Sequence, residues 1–312
     1  TPEKIDFYTD KSSKKICELD ISNYNSKNCK YTTIKRSTLI NFLKRDLGDL
    51  IKTGYNISKI DQQDKQIKLS FENDETIECD YLIISDGVFS KSKSLISNNQ
   101  TKPRYNDTLA IRGMITKLPK NIDNKDISLF LGSDFHYVIY PVSPSGVLNF
   151  IAIMKYPLPA DKQNDYSLFN DNSFIKRVLD KVPFAIKDIS NNLENLKIFP
   201  VFVSDNFYQI KSDKIHLIGD AFFAFPPSFA QGASQSIEGA YELFKNIQNN
   251  NENDFFKKRE KRTKMVNIRS KLNQFAFHFS NPLTVFLRNL VLKRLVKNKK
   301  FLEIYLGKIY NG

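Results

Sequence analysis

The sequence predicts an α/β chain, α+β in part. An open α/β domain is interrupted by an inserted antiparallel sheet and followed by a helical C-terminal tail. Three observations predict this. Short branched apolar runs at 82–85 and 215–218 lead into Asp86-Gly87 and Gly219-Asp220, as buried strands opening onto loops do. Ile127–Leu131, His136–Val142 and Val147–Met154 follow one another at hairpin spacing. From Asp254 the pattern is helical, with Asn281 as a cap and Pro282 at a first helical position.

The elements follow in order. Lys4–Tyr8 and Ile16–Leu19 read as strand pieces. Leu39, Phe42, Leu43 and Leu47 fall at helical spacing, with Ser37 placed to cap the start and Arg36 just before it. Tyr55–Lys59, Gln66–Phe71 and Thr76–Cys79 alternate as an antiparallel meander leading into the strand at 82–85. A strand in 108–119 opens the second region, and a helix covers Asp171–Val182. Phe199–Phe207 returns to the first domain. The strand at 215–218 then meets a loop stiffened by Pro226-Pro227 and a helix over Ser234–Ile247. The domain expectation is 1–103 and 199–250 for the α/β part, 104–198 for the inserted sheet and 251–312 for the tail. Some early strands are able to join the inserted sheet.

A chain of 312 residues with 41% hydrophobic content can bury a full core and hold two domains. Cys17, Cys29 and Cys79 lack metal spacing and cannot all pair, so reduced thiols in the cytosol are expected, and no metal site. No apolar run approaches membrane-spanning length. The net charge of +13 is uneven: from Asn251 onward there are 15 Lys+Arg against 4 Asp+Glu. The clusters are Lys257-Lys258-Arg259 and Lys293-Arg294 with Lys297, Lys299 and Lys300. Two readings stand: a surface for anionic lipid at the inner face of a membrane, or a solvated helical tail. Nucleic acid is not an expected partner.

The segment from Ile215 to Ala240, IHLIGDAFFAFPPSFAQGASQSIEGA, puts a carboxylate at a strand end, then a stiff loop, then a helix start. Ligands of open α/β sheets collect there. This string resembles the Gly-Asp flavin motif of the FAD-dependent aromatic hydroxylases, the monooxygenases related to p-hydroxybenzoate and salicylate hydroxylases. Asp86, Gly87 and Ser90 resemble the family's Asp-Gly motif, with Lys93 where Arg is usual. Arg36, Leu39 and Leu43 match its Arg-x-x-Leu-x-x-x-Leu. The resemblance implies a Rossmann-like FAD-binding domain with an inserted substrate sheet. The family's opening G-x-G-x-x-G is missing: the 11 glycines are scattered and no two are separated by a single residue. The chain also opens on Thr-Pro and its first Met is Met114. It is therefore expected to be a piece lacking the first βαβ unit, and to hold FAD poorly by itself.

The resemblance implies non-covalent FAD, held by Arg36, Asp86, Gly87, Gly219, Asp220, Pro226, Gln231, Gly232 and Ala233. NAD(P)H would reduce it, and O2 would form a flavin C4a-hydroperoxide that oxygenates a small aromatic or quinone-like substrate. Arg112, His136, Tyr140, Phe223, Phe225 and Pro227 would line the substrate pocket, and His136 is the one candidate for catalysis. Tyr140-Pro141-Val142 and Asn149 match the substrate sheet of salicylate-hydroxylase-like members. Departures from the family are Phe223 for His, Ala230 for Gly, Ser234 for Asn and Gly239 for an acidic residue. Two alternatives remain: a ubiquinone-biosynthesis-type hydroxylase at the membrane surface, and a non-catalytic flavoprotein remnant that serves as a binding module.

Overall fold

The structure is a computed structural model. It describes all residues except 11, 27–29, 64–65, 97–101, 117–122, 144–145, 183–188, 190–191, 250 and 311–312. Cys29 and the end of the strand expected over 108–119 lie outside the described residues. The chain runs β1 (Lys4–Thr9), β2 (Lys15–Asp20), α1 (Arg36–Lys44), β3 (Ile57–Gln62), β4 (Ile67–Phe71), β5 (Thr76–Cys79), β6 (Leu82–Ile84) and α2 (Lys91–Ile96). It continues through β7 (Arg104–Ile115), β8 (Ile127–Gly132), β9 (Phe135–Pro141), β10 (Leu148–Lys155), α3 (Asn172–Asp180), β11 (Leu193–Val203) and β12 (Ile215–Leu217). The helices α4 (Gly219–Phe222), α5 (Gly232–Gln248), α6 (Glu252–Phe277) and α7 (Pro282–Leu295) follow, with short helical turns at Lys299–Leu302 and Lys308–Tyr310 after them.

Two compact units share this chain. The first comprises residues 1–45, 107–201 and 274–312. Its seven-stranded sheet has the order β11-β7-β10-β9-β8-β1-β2. β1 enters it parallel to β8 and antiparallel to β2. Alternation along β10 sends Leu148, Phe150 and Ala152 into the core, where Phe130 and Tyr137 stack at 4.4 Å. α3 covers this core with Phe174 and Val178, and Asp171 caps it by accepting from the Phe174 N–H at 2.7 Å. Cys17 is a half-buried thiol whose pKa burial pushes up to about 11.

The second unit comprises residues 46–106 and 202–273. It holds the meander β3-β4-β5 and the parallel pair β6-β12. Ile67, Leu69, Leu82, Ile84, Ile215 and Leu217 fill its core.

Two sequence expectations are corrected. Ser37 does not cap α1: the N-cap is Lys35, without a side-chain bond, and Arg36 is the first helical residue. α5 starts at Gly232, two residues before Ser234. In the segment Phe199–Phe207, residues up to Val203 complete β11 of the seven-stranded sheet, and the second unit resumes at Phe202.

Candidate functional site

In the second unit, β6 and β12 pair in parallel with Leu82, Ile83 and Ile84 opposite Ile215, His216 and Leu217. The Ile218 N–H extends the ladder by donating to the Ile84 carbonyl at 3.0 Å. Asp86-Gly87 and Gly219-Asp220 therefore emerge from the same carboxyl end of one strand pair. Gly87 and Gly219 have φ of +87° and +59°, a region that costs other residues dearly. A β-carbon on Gly219 would also stand 3.0 Å from the Ser236 hydroxyl of α5. The exposed Asp86 accepts from the Ser92 N–H at 3.0 Å, and Ser90 accepts from the Lys93 N–H at 3.0 Å, so the two together start α2. Burial lowers the pKa of Lys93, and the Asp86 charge opposes that.

The chain then turns through Pro226 and the single turn Pro227–Phe229. Ala230 holds a left-handed conformation at φ +53°, where the family has Gly. Gln231, 4% exposed, is the N-cap of α5. Gly232, Ala233 and Ser234 are exposed, and a β-carbon on Gly232 would meet nothing within 4 Å. The first N–H groups of a helix have no intrahelical partner and sit at its positive dipole end. Open space thus faces a ready anion site. Gly219, Asp220, Gly232 and Ser236 line one crevice.

A buried ionic network sets the position of this helix start. Arg259 of α6 is 3% exposed. Its Nη1 donates to Glu238 Oε1 at 2.8 Å and to Glu242 Oε2 at 3.0 Å. Its Nη2 donates to the Gln235 carbonyl at 2.8 Å and to Gln235 Oε1 at 2.6 Å. Arg262 forks onto both Glu238 oxygens at 2.8 and 3.0 Å. Gln235 in turn donates to Gln231 Oε1 at 3.3 Å. Burial would raise the Glu238 pKa, but the two arginines outweigh it and hold the carboxyl below its usual range. Gly239 is explained here, since a β-carbon would meet Arg259 Nε at 3.1 Å. Arg259 was counted among the basic clusters of the tail; its charge is internal. The available signal was the i, i+3 spacing of Arg259 and Arg262, which puts both on one helical face.

The phenylalanines that follow Asp220 pack at the edge of this crevice. Phe222 and Phe223 are buried, and Phe223 stacks on Phe207 at 4.2 Å within the core. Phe222, Phe223 and Phe225 nevertheless border the same crevice as Gly219 and Asp220. Phe225 and Pro227 remain half-buried.

In the first unit, Arg112, Tyr140 and Asn149 share one face of the sheet. Asn149 is opposite Tyr140, and Ile151, next but one, is opposite Arg112. Asn149 hydrogen-bonds the Tyr140 hydroxyl, and Arg112 lies over the Phe199 ring at 5.6 Å. Partial dehydration lowers the Arg112 pKa; Tyr140 opposes this and the positive charge of Arg36 adds to it. His136 lies on the same face but is covered. It is 3% exposed, its Nδ1 is 2.8 Å from His278 Nε2, and Phe277 packs edge-on against it. Dehydration holds both imidazoles below their ordinary pKa, His278 down to about 4. His136 is thus held as a buried neutral ring packed between His278 and Phe277. His216, in β12, is likewise buried.

The family model described as FAD binding domain matches residues 51–251, more than half of the chain. The chain belongs to this FAD binding domain family. The family's cofactor is FAD. Salicylate hydroxylase of Pseudomonas putida is 25% identical over 244 residues, covering 68% of this chain and 53% of that protein. The chloroplastic zeaxanthin epoxidase of an Oncidium hybrid cultivar is 24% identical over 217 residues, covering 67% and 31%. The chain thus spans about half the length of the first and a third of the second. Among solved structures, Klebsiella pneumoniae HpxO complexed with FAD and uric acid superposes with a TM-score of 0.80 at 14% identity, covering 98% of this chain and 80% of that one. A salicylate hydroxylase substrate complex gives 0.75 at 18%, covering 99% and 79%. The FAD binding domain fold is therefore shown, and the likeness to FAD-dependent aromatic hydroxylases carried by the Gly-Asp and Pro-Pro string holds.

Proposed function

We propose that this chain forms the ribityl and ring end of an FAD site in a monooxygenase that hydroxylates a small aromatic compound, using NAD(P)H and O2. The observation that carries the reading is the parallel pair β6-β12, with two Asp/Gly turns at its carboxyl end and the open N-terminus of α5 in the same unit. Bound FAD would supply the redox step, in which NAD(P)H, a proton, O2 and an aromatic C–H give the phenol, NAD(P)+ and water.

The chain's own residues bind and orient. Asp220 accepts a hydrogen bond from a ribityl hydroxyl. Gly87 and Gly219 let the backbone turn close to the ligand. The N–H groups of Gly232 and Ala233 oppose negative charge at the pyrimidine edge of the ring, and Gln231 and Pro226 hold that helix start in place. In the first unit, Arg112 offers charge and Tyr140 with Asn149 offers hydrogen bonds. Arg36 of α1 adds a smaller positive influence at Arg112. Such a face suits an aromatic acid better than a neutral ring. A second reading, a ubiquinone-type hydroxylase at a membrane surface, draws support from the basic cluster Lys293, Arg294, Lys297, Lys299 and Lys300.

The test is to purify the full-length protein, measure its flavin, and follow NAD(P)H oxidation and O2 uptake over a panel of aromatic acids and quinones. A yellow protein with substrate-stimulated O2 uptake is expected. Flavin bound without any substrate-stimulated oxidation would favour a non-catalytic binding module. Colourless protein would overturn the cofactor assignment.

A further inference from the structure

Helix α7 has apolar residues on two faces, and one of them is bare. Its inner face holds half-buried Val285, Leu292 and Leu295 around Arg288, which is 6% exposed. The Arg288 Nη1 donates to the carbonyls of Ala276 and Phe277 at 3.4 and 3.3 Å, tying α7 to the end of α6. On the other side, Leu283, Phe286, Leu287, Leu290 and Val291 are 43–65% exposed. Their i, i+3, i+4, i+7, i+8 spacing makes one continuous stripe. Single exposed apolar side chains are ordinary; a five-residue stripe marks an interaction surface.

Charge says what meets it. Lys293 and Arg294 close the last turn of α7, and Lys297, Lys299 and Lys300 follow at once, all exposed. No Asp or Glu occurs between Asn281 and Lys300. None of these five cations forms an ion pair among the described residues. No described helix is long and apolar enough to cross a membrane. We propose that α7 lies on the surface of an anionic bilayer, its stripe in the acyl boundary and its basic end against lipid phosphates. A second copy would bring five more cations to a stripe that has no acid to meet them. The proposal does not depend on the flavin reading.

The test is co-sedimentation of the chain with vesicles of phosphatidylcholine alone, and of phosphatidylcholine mixed with phosphatidylglycerol. Binding to the mixed vesicles is expected, falling as salt rises and weak on the neutral ones. The double variant Leu287→Glu/Leu290→Glu should lose at least about tenfold in partitioning, as should replacement of the five cations by Gln. All these positions are exposed, so circular dichroism and the unfolding midpoint should hold and would separate lost docking from lost fold. Absence of binding to anionic vesicles at low salt overturns the proposal, as does undiminished binding by the double variant. A dimer seen by light scattering that the double variant dissociates, without vesicle binding, would assign the stripe to a second copy and overturn it equally.

Discussion

Asp86 and Asp220 leave the same end of one parallel strand pair, two residues beyond Ile84 and three beyond its register partner Leu217. Their structural duties differ. Asp86 accepts the Ser92 N–H and helps to start α2, whereas Asp220 lies in the short helix α4, exposed. Asp86→Ala is expected to cost about 0.5–2 kcal/mol of stability, the worth of a helix cap, read by denaturant unfolding. Asp220→Ala is expected to weaken FAD by about 1–3 kcal/mol in the full-length protein, read by flavin titration. Unchanged flavin affinity would remove Asp220 from the site.

Gly219→Ala should be worse than a cap loss. The left-handed backbone costs a β-carbon about 1–2 kcal/mol, and that carbon also pushes on Ser236. The Ser236 hydroxyl donates to the Gly232 carbonyl at 3.0 Å, so the disturbance reaches the first turn of α5. Both the unfolding free energy and flavin affinity should fall. Ser236→Ala combined with Gly219→Ala should recover part of the loss; no recovery would place the whole cost in the backbone.

Arg259→Ala is expected to destabilise by about 1–3 kcal/mol, because the buried Gln235 carbonyl and amide oxygen lose their donor while Glu238 keeps Arg262. Lys258→Ala, one residue earlier and exposed, should change stability by no more than about 0.5 kcal/mol. The network also predicts acid sensitivity. The Glu238 pKa is depressed in the fold, so its contribution is present above the unfolded value of about 4.3 and is lost as pH falls through the folded value. Glu238→Gln should show a flatter stability profile below pH ~4.3 than the wild type.

The His136–His278 pair acts at a higher pH. Both rings stay neutral in the fold, while the unfolded chain takes up protons near pH ~6.5. Their stability is thus complete above that value and declines as pH falls, by at most about 1.4 kcal/mol per pH unit for each ring. For His278 the decline ends at about 4, where its ring protonates in the fold. His278→Asn should flatten the profile between those limits; an unaltered slope would show that the pair does not titrate as placed.

Much of this was legible where a local rule and the tertiary fold agree. Asn281 caps α7 by accepting from the Leu283 N–H at 2.9 Å, as Asn-Pro at a helix start suggests. β6 and β12 were readable because short branched runs before Asp/Gly turns have few other uses. Burial of a charge was not legible. Arg259 sits in a run of lysines, and a run does not say which residue turns inward; that was decided by Gln235, Glu238 and Glu242 on another helix. His278 carries no motif, and only the packing of α6 brings it to His136. α7 hid its bare stripe because it is apolar on two faces, so no helical wheel segregates.

Gly232 offers the most direct test of a flavin at the start of α5. A β-carbon there meets no atom within 4 Å, so Gly232→Val fills space that the fold leaves open and should leave the unfolding midpoint nearly unchanged. Flavin titration of that variant in the full-length protein should show affinity reduced by at least about tenfold, or about 1.4 kcal/mol, because the side chains then occupy the approach to the helix N–H groups. Wild-type flavin affinity in a folded Gly232→Val protein would contradict the placement of the ring at this helix.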